Sequence, residues 1–212
     1  MAPVRGGLVV ELGCGSGLRT RYLVDAGHRV IATDASPAML EIARDYAPGA
    51  EVRALVLPDD EIPGADAVVG VGHVLSYLPD EEAIERALAG IAGALRPGGL
   101  VAFDICDFEW GEAPGRPPST CRVADDWVIA VRFSQPSRDR FVREITTFVR
   151  DDAGTWRRDD ELHTNVLLDT ARLPVLLARH GIEATVGTAF GNETPMVGLR
   201  VVKGRRETMS HL

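Results

Sequence analysis

Val9-Val10-Glu11-Leu12-Gly13-Cys14-Gly15-Ser16-Gly17 is the stretch that decides how this chain folds. It closes an apolar run, Leu8 to Leu12, and opens a helical pattern over residues 17–26 that Gly27 ends. An apolar run this short, bounded by glycine, is a buried strand. Glycine lets the backbone turn tightly and approach a ligand where a Cβ would clash. The first turn of a helix leaves N–H groups unpaired. Strand, glycine turn and helix N-terminus in that order make a ligand-binding corner. Several nucleotide-binding folds share such a corner, so more is needed to say which ligand it suits.

Two details narrow it. The dinucleotide fingerprint G-x-G-x-x-G needs glycine at its sixth position. Counted from Gly13 that position is Leu18, and the fingerprint fails. A phosphate loop ending in G-K-[ST] is also missing. What stands is an acid-x-G-x-G-x-G turn, with Glu11 at the strand end as a carboxylate suited to an ammonium group. Asp34 ends the next apolar run, Arg29 to Asp34, where a carboxylate can accept both hydroxyls of a ribose. A ligand with a ribose, an ammonium and no pyrophosphate suits this pair better than NAD.

Outward from that corner, strand and helix alternate to residue 105. Ser36 caps a helix with Pro37 at its first position, running to about Tyr46 before Pro48-Gly49. Glu51 to Leu57 is a third strand and Asp66 to Gly72 a fourth. Asp80 caps a helix through Leu95, which Arg96-Pro97-Gly98-Gly99 stops, and Leu100 to Ile105 is a fifth strand. This order predicts a doubly wound parallel α/β sheet with right-handed crossovers. After residue 105 the texture changes. A Gly- and Pro-rich loop over residues 111–118 precedes three strands with hairpin spacing: Trp127 to Phe133, Arg140 to Arg150 and Trp156 to Val166. These predict a small antiparallel β insertion. A helix from Asp169 to His180, capped by Gly181, and strands at Ile182 to Thr188 and Met196 to Val202 complete the chain, with a frayed tail after Gly204.

Composition bounds the function. The 212 residues are 45% hydrophobic and 25% charged, ordinary for a globular protein. The net charge is −8, which argues against a nucleic-acid partner. The one basic knot, Lys203, Arg205 and Arg206, reads as a solvated end. No run reaches the roughly 20 apolar residues of a membrane span, and no signal-peptide pattern opens the chain, so no membrane partner and a cytoplasmic location are expected. Three cysteines, Cys14, Cys106 and Cys121, without C-x-x-C or finger-spaced histidines, give no metal site and no disulfide frame.

The glycine turn, Thr33-Asp34-Ala35-Ser36-Pro37-Ala38-Met39-Leu40, Asp66-Ala67-Val68-Val69 and Leu95-Arg96-Pro97-Gly98-Gly99 together resemble the class I S-adenosyl-L-methionine-dependent methyltransferases in order and spacing. The resemblance implies a seven-stranded, mostly parallel sheet whose last strand is antiparallel. It implies S-adenosyl-L-methionine as cofactor. The glycine turn (Gly13, Cys14, Gly15, Gly17, with Glu11) would pack against its methionine part, Asp34 and Ala35 would hold the ribose, Met39 would lie near the adenine, and Gly72 and His73 would line the methyl-transfer end. The insertion looks like that of small-molecule methyltransferases, including amino-sugar N-methyltransferases. Residues 106–165 would then be a substrate lid on a core formed by 1–105 and 166–212. Two departures stand out. Relatives carry an acid after the third strand that meets the adenine amine. Here Arg53-Ala54-Leu55-Val56-Leu57-Pro58 holds none, which leaves backbone groups near Leu57 for that contact. Relatives also have helices before the first strand, and about seven residues precede it here. An upstream start, an open site or a cover from a second subunit, as in a homodimer, would each account for that.

Candidate catalytic residues are His163 and His73, as bases of near-neutral pKa. Tyr77, Trp110 and Trp127 are candidates for an apolar substrate wall, and Glu144, Glu109 and Asp107 for holding a substrate cation. Each also suits a plainer role, in the core or on the surface, as Asp34 suits a helix entry and Glu11 a strand end. The reading is methyl transfer to a small-molecule amine or hydroxyl. A non-catalytic S-adenosyl-L-methionine-binding protein and an NAD-dependent oxidoreductase are the alternatives.

Overall fold

The computed structural model describes residues 6–112, 116–191 and 194–208. The chain alternates as its pattern demands: β1 (Leu8–Leu12), α1 (Leu18–Asp25), β2 (Arg29–Asp34), α2 (Pro37–Tyr46), β3 (Glu51–Ala54), β4 (Ala65–Gly70), α3 (Glu81–Ala94) and β5 (Leu95–Cys106). Then come β6 (Ser119–Val123), β7 (Trp127–Ser137), β8 (Arg140–Arg150), β9 (Trp156–Val166), α4 (Leu173–Ala178), β10 (Ile182–Gly187) and β11 (Leu199–Arg206). Seven strands form one sheet in the order β10-β11-β5-β4-β1-β2-β3. Only β11 runs against its neighbours. The remaining four form an antiparallel meander, β6-β7-β8-β9.

The helix starts are set by capping. The Ser36 hydroxyl accepts the Met39 N–H at 3.4 Å, and the Asp80 carboxylate accepts the Ala83 N–H at 2.7 Å. Glu81 and Glu82 in the first turn of α3 add favourable charge at its positive end. Ile84, Leu88 and Ile91 of α3 are fully buried in one cluster with Val10, Val68, Val101 and Phe103 of the central strands. Each such side chain contributes about 1.5–3 kcal/mol on burial. The meander is anchored by a separate apolar group, Cys106, Trp110, Phe141 and Leu167. Phe133 stacks on Phe141 with ring centroids 6.0 Å apart.

Several expected boundaries move. β3 stops at Ala54, so Leu55 to Leu57 is loop. The insertion has four strands, because Ser119–Val123 pairs with β7. The segment after Asp169 is a 3-10 turn, Thr170–Arg172, before the short α4. The last strand begins at Leu199 and runs past Gly204 to Arg206, paired with β10 from Val201 to Arg206. Its basic residues are not simply solvated. The Arg206 guanidinium donates to the carbonyls of Leu95 (2.6 Å), Gly93 (3.3 Å) and Ala92, satisfying the C-terminal end of α3. Lys203 donates to the Phe190 carbonyl.

Candidate active site

The C-terminal ends of β1, β2 and β4 open into a cleft of about 680 Å³. Open α/β sheets bind ligands at this edge, and the volume suits a small organic molecule. Gly13 and Gly15 line its floor. Asp34, Ala35, Met39 and the loop Leu55 to Leu57 line one end. Gly72, Tyr77, Glu161 and His163 line the other.

At the first end the glycine turn is required by geometry. Gly13 has φ +64°, and a Cβ there would lie 2.5 Å from Val74 Cγ2. Gly15 has φ +54° with no atom within 4 Å of where a Cβ would stand, so its face is open to the cleft. Asp34 ties this turn to the next helix. Its Oδ2 accepts the Gly15 N–H at 2.8 Å and its Oδ1 the Ser36 N–H at 2.9 Å. A carboxylate has about four acceptor sites, so both oxygens can still take a hydroxyl from the cleft. Asp34 therefore enters the helix and faces the ligand space at once.

Glu11, Cys14 and Gly17 stand behind the turn and are not part of the cleft wall. Glu11 is 3% exposed, and the Thr20 hydroxyl donates to its Oε2 at 2.6 Å. Burial pushes its carboxyl above the usual carboxylate range. Cys14 packs with Val30, Ala32, Leu40 and Ala43, and burial pushes its thiol up to about 12.

At the second end the backbone after β4 passes through Gly72 and then His73, which holds the left-handed φ of +49°. Asp104 of β5 keeps it there. Its Oδ1 accepts the N–H groups of Gly72 at 2.8 Å and His73 at 2.6 Å. The His73 ring stacks on Tyr77 with centroids 5.6 Å apart. Its pKa falls to about 4, first through desolvation and then through the nearby Arg143, Arg19 and His163. Four further groups form a chain. Arg143 Nη2 donates to the Tyr77 phenolic oxygen and lies 3.4 Å from His73 Nε2. Tyr77 Oη lies 3.1 Å from His163 Nδ1, and His163 Nε2 lies 2.7 Å from Glu161 Oε2. A guanidinium only donates, so the phenol proton points to Nδ1 and the ring hydrogen sits on Nε2, facing Glu161.

Residues 9–99 match the family model described as methyltransferase domain. The chain is similar to glycine N-methyltransferase of Rattus norvegicus, 32% identical over 129 residues that cover 52% of this chain and 44% of that protein. Among solved structures it is similar to an S-adenosylmethionine-dependent methyltransferase from Clostridium acetobutylicum, with a TM-score of 0.82, 17% identity, and 94% of this chain and 84% of that one covered. The sugar N-methyltransferase KedS8 from Streptoalloteichus gives a TM-score of 0.76 at 21% identity, covering 95% of this chain and 81% of that one. The chain has the class I methyltransferase fold. It spans less than half the length of the curated relative it matches. Among the described residues no helix is long and apolar enough to cross a membrane.

Within this methyltransferase fold, some candidates fall away from the cleft. Strand parity explains Glu144. Arg143 pairs with His163 across β8 and β9, so Glu144 and Leu162 point to the opposite face. Glu144 there pairs with Arg132 at 3.4 Å beside a separate open depression. Trp110 is 7% exposed and packs on Phe141 under the Arg116 guanidinium, outside the cleft wall. Trp127 begins β7 and is also outside that wall. Glu109 is paired with Arg200 at 2.6 Å, and Asp107 accepts from Thr170. Of the substrate candidates only Tyr77 lines the cleft. Three groups escaped the sequence reading. Asp104 was visible as an acid inside an apolar strand, and Glu161 as a neighbour of His163 at strand spacing. Arg143 carried no local signal.

Proposed function

We propose that the chain transfers the methyl group of S-adenosyl-L-methionine to a small-molecule amine or hydroxyl. One observation carries this: a single cleft joins Asp34 and the glycine turn to the Tyr77–His163–Glu161 chain. Asp34 would hold the ribose hydroxyls, Met39 and Leu55 to Leu57 the adenine, and Gly13, Gly15 and Gly72 the methionine part. The open face of Gly15 is where a side chain would fill the ligand's space. The bound donor supplies a sulfonium methyl already activated for in-line displacement. The chain's own contribution is then attack geometry. Tyr77 and His163 orient the acceptor; Tyr77 takes the proton that a hydroxyl or amine releases as its new bond to carbon forms and passes its own phenolic proton to His163 Nδ1, with Glu161 stabilising the resulting imidazolium. His73, held neutral by burial, serves to place Tyr77. The β6–β9 meander, which brings His163 and Glu161, acts as the substrate lid on the core.

Calorimetric titration with S-adenosyl-L-methionine and S-adenosylhomocysteine, with NAD as control, tests the reading. The first two bind and NAD does not. Neither binding would refute it, and NAD binding alone would favour an oxidoreductase. Turnover of an acceptor then separates an enzyme from a non-catalytic binding protein. The N-methyltransferase names of the glycine- and sugar-directed relatives make amines the first acceptors to assay.

A further inference from the structure

Arg143 of β8 is a half-buried cation one contact behind the cleft wall, reaching it through the Tyr77 oxygen. The chain carries a net charge of −8, and Arg96, Arg132, Arg140, Arg158, Arg172 and Arg200 each find a carboxylate within 4 Å. Arg143 has none among the described residues. Its Nη2 meets two neutral groups, the Tyr77 phenol and the His73 imidazole, and its Nε is buried with no hydrogen-bond partner. Glu161, an acid of the cleft wall, is engaged by His163 at 2.7 Å. A half-buried cation without a counter-charge is costly, and an anion that enters beside it removes that cost.

We propose that Arg143 is the subsite for a small oxyanion, a carboxylate or phosphate carried by the methyl acceptor. The guanidinium has five N–H donors in a planar fork that matches either group in a bidentate pair, and among the described residues only its Nη2 makes a hydrogen bond. The position suits an acceptor. Tyr77 and His163 both line the cleft, and the Tyr77 oxygen contacts Arg143 on one side and His163 on the other. An anion on Arg143 and a proton-releasing atom near His163 thus flank one phenolic oxygen. The local field is consistent, because Arg143 and Arg19 both act to keep the His73 ring neutral. The same field favours an acceptor amine in its neutral, nucleophilic form. Assigning the anion to an acceptor rests on the methyl-transfer reading; the anion subsite itself does not.

The test follows the imidazole resonances of His73 and His163 by ¹H–¹⁵N NMR at constant ionic strength. The full chain, with and without S-adenosylhomocysteine, is titrated with sodium acetate and, separately, inorganic phosphate. Saturable shifts with at least one anion are expected, and the arm that saturates identifies carboxylate or phosphate. Arg143→Gln weakens that binding by about tenfold or more, as expected for loss of charge-assisted bonds, while S-adenosylhomocysteine affinity is unchanged. Arg143→Lys keeps the charge, loses the fork and falls between, and it carries the test if the Gln variant does not fold. Absence of saturation with both anions, or equal affinity in wild type and variants, overturns the subsite. Anion binding that persists when S-adenosylhomocysteine fails to bind would count against the methyl-transfer reading alone.

Discussion

Replacing Asp104 with alanine is the sharpest probe of how the methyl-transfer end is built. One carboxylate oxygen accepts both the Gly72 and His73 N–H groups, and the side chain is 4% exposed. Its removal leaves two partly buried donors without partners, at about 1–3 kcal/mol each. It also frees His73 from the left-handed region, whose occupancy costs about 1–3 kcal/mol and is tolerated only while something holds it. Relaxation of that strain recovers part of the loss. The net expectation is a destabilisation of about 2–4 kcal/mol, read by urea denaturation at 25 °C, which a protein of ordinary stability survives. Relaxation moves Gly72, a cleft residue, so affinity for S-adenosylhomocysteine falls as well. Amide exchange at residues 72 and 73 speeds up. A loss under about 1 kcal/mol with exchange unchanged would refute the reasoning.

Asp104→Asn separates hydrogen bonding from charge, because the amide oxygen still accepts both N–H groups. Burial raises the Asp104 carboxyl above its ordinary value, with the two N–H bonds only partly opposing it. An acid whose folded-state pKa is raised binds its proton more tightly in the folded chain. Wild-type stability relative to Asp104→Asn is therefore greatest below the ordinary Asp value. It declines as pH rises through the raised one, then levels off. A difference that grows with pH over that window would show that the carboxylate is net stabilised there, contrary to the assignment.

Asp34→Ala removes the acceptor for Gly15, Ser36 and the expected ribose hydroxyls, and S-adenosylhomocysteine affinity drops at least about tenfold by calorimetry. His163→Ala lowers kcat for a hydroxyl acceptor by about a hundredfold or more, with S-adenosylhomocysteine affinity unchanged, in a coupled turnover assay. His73, at about 4 against an ordinary 6.5, takes its proton in the unfolded chain first; among the groups facing it are Arg143, Arg19, His163 and Tyr77. Stability is accordingly full above pH 6.5 and falls as pH drops toward 4, and His73→Gln flattens that part of the urea-midpoint profile. Cys14 and Cys106 are buried with thiols pushed up to about 12, while Cys121 is exposed. Brief iodoacetamide treatment of the native protein at pH 8 adds one carbamidomethyl group, on Cys121, by mass spectrometry.

The core was legible because its signals are local. Apolar runs and the caps at Ser36 and Asp80 place β1 to β4 and the helices to α3 within a few residues, whereas β5 starts at Leu95 and takes in the Arg96–Gly99 stretch expected to be a stop before Leu100. Asp34 is found by its place at a strand end. Signals failed where structure depends on a distant partner. β6 is exposed at all five positions, so no periodicity marks Ser119–Val123, and only pairing with β7 makes it a strand. β11 extends to Arg206 because β10 and the end of α3 receive it, which the basic tail does not show locally.

The site shows the same division at finer scale. Tyr77 and His163 lie 86 residues apart and belong to different sheets' neighbourhoods, yet share a hydrogen bond. Alternation along Arg140–Arg150 states that Arg143 and Glu144 face opposite ways, but it is silent on which of them faces in. The pairing of Arg143 with His163 resolves that, and the rest follows by parity. Glu161 and His163 turn inward with Arg143, and Glu144 and Leu162 turn outward. A one-residue slip of β8 against β9 would exchange the two sets. It would set an acid in place of the Arg143 cation beside Tyr77 and remove the proposed anion subsite while leaving composition, strand pattern and glycine turn untouched. The proposed acceptor subsite thus depends on the register of the inserted sheet, and the glycine corner on the local sequence after the first strand.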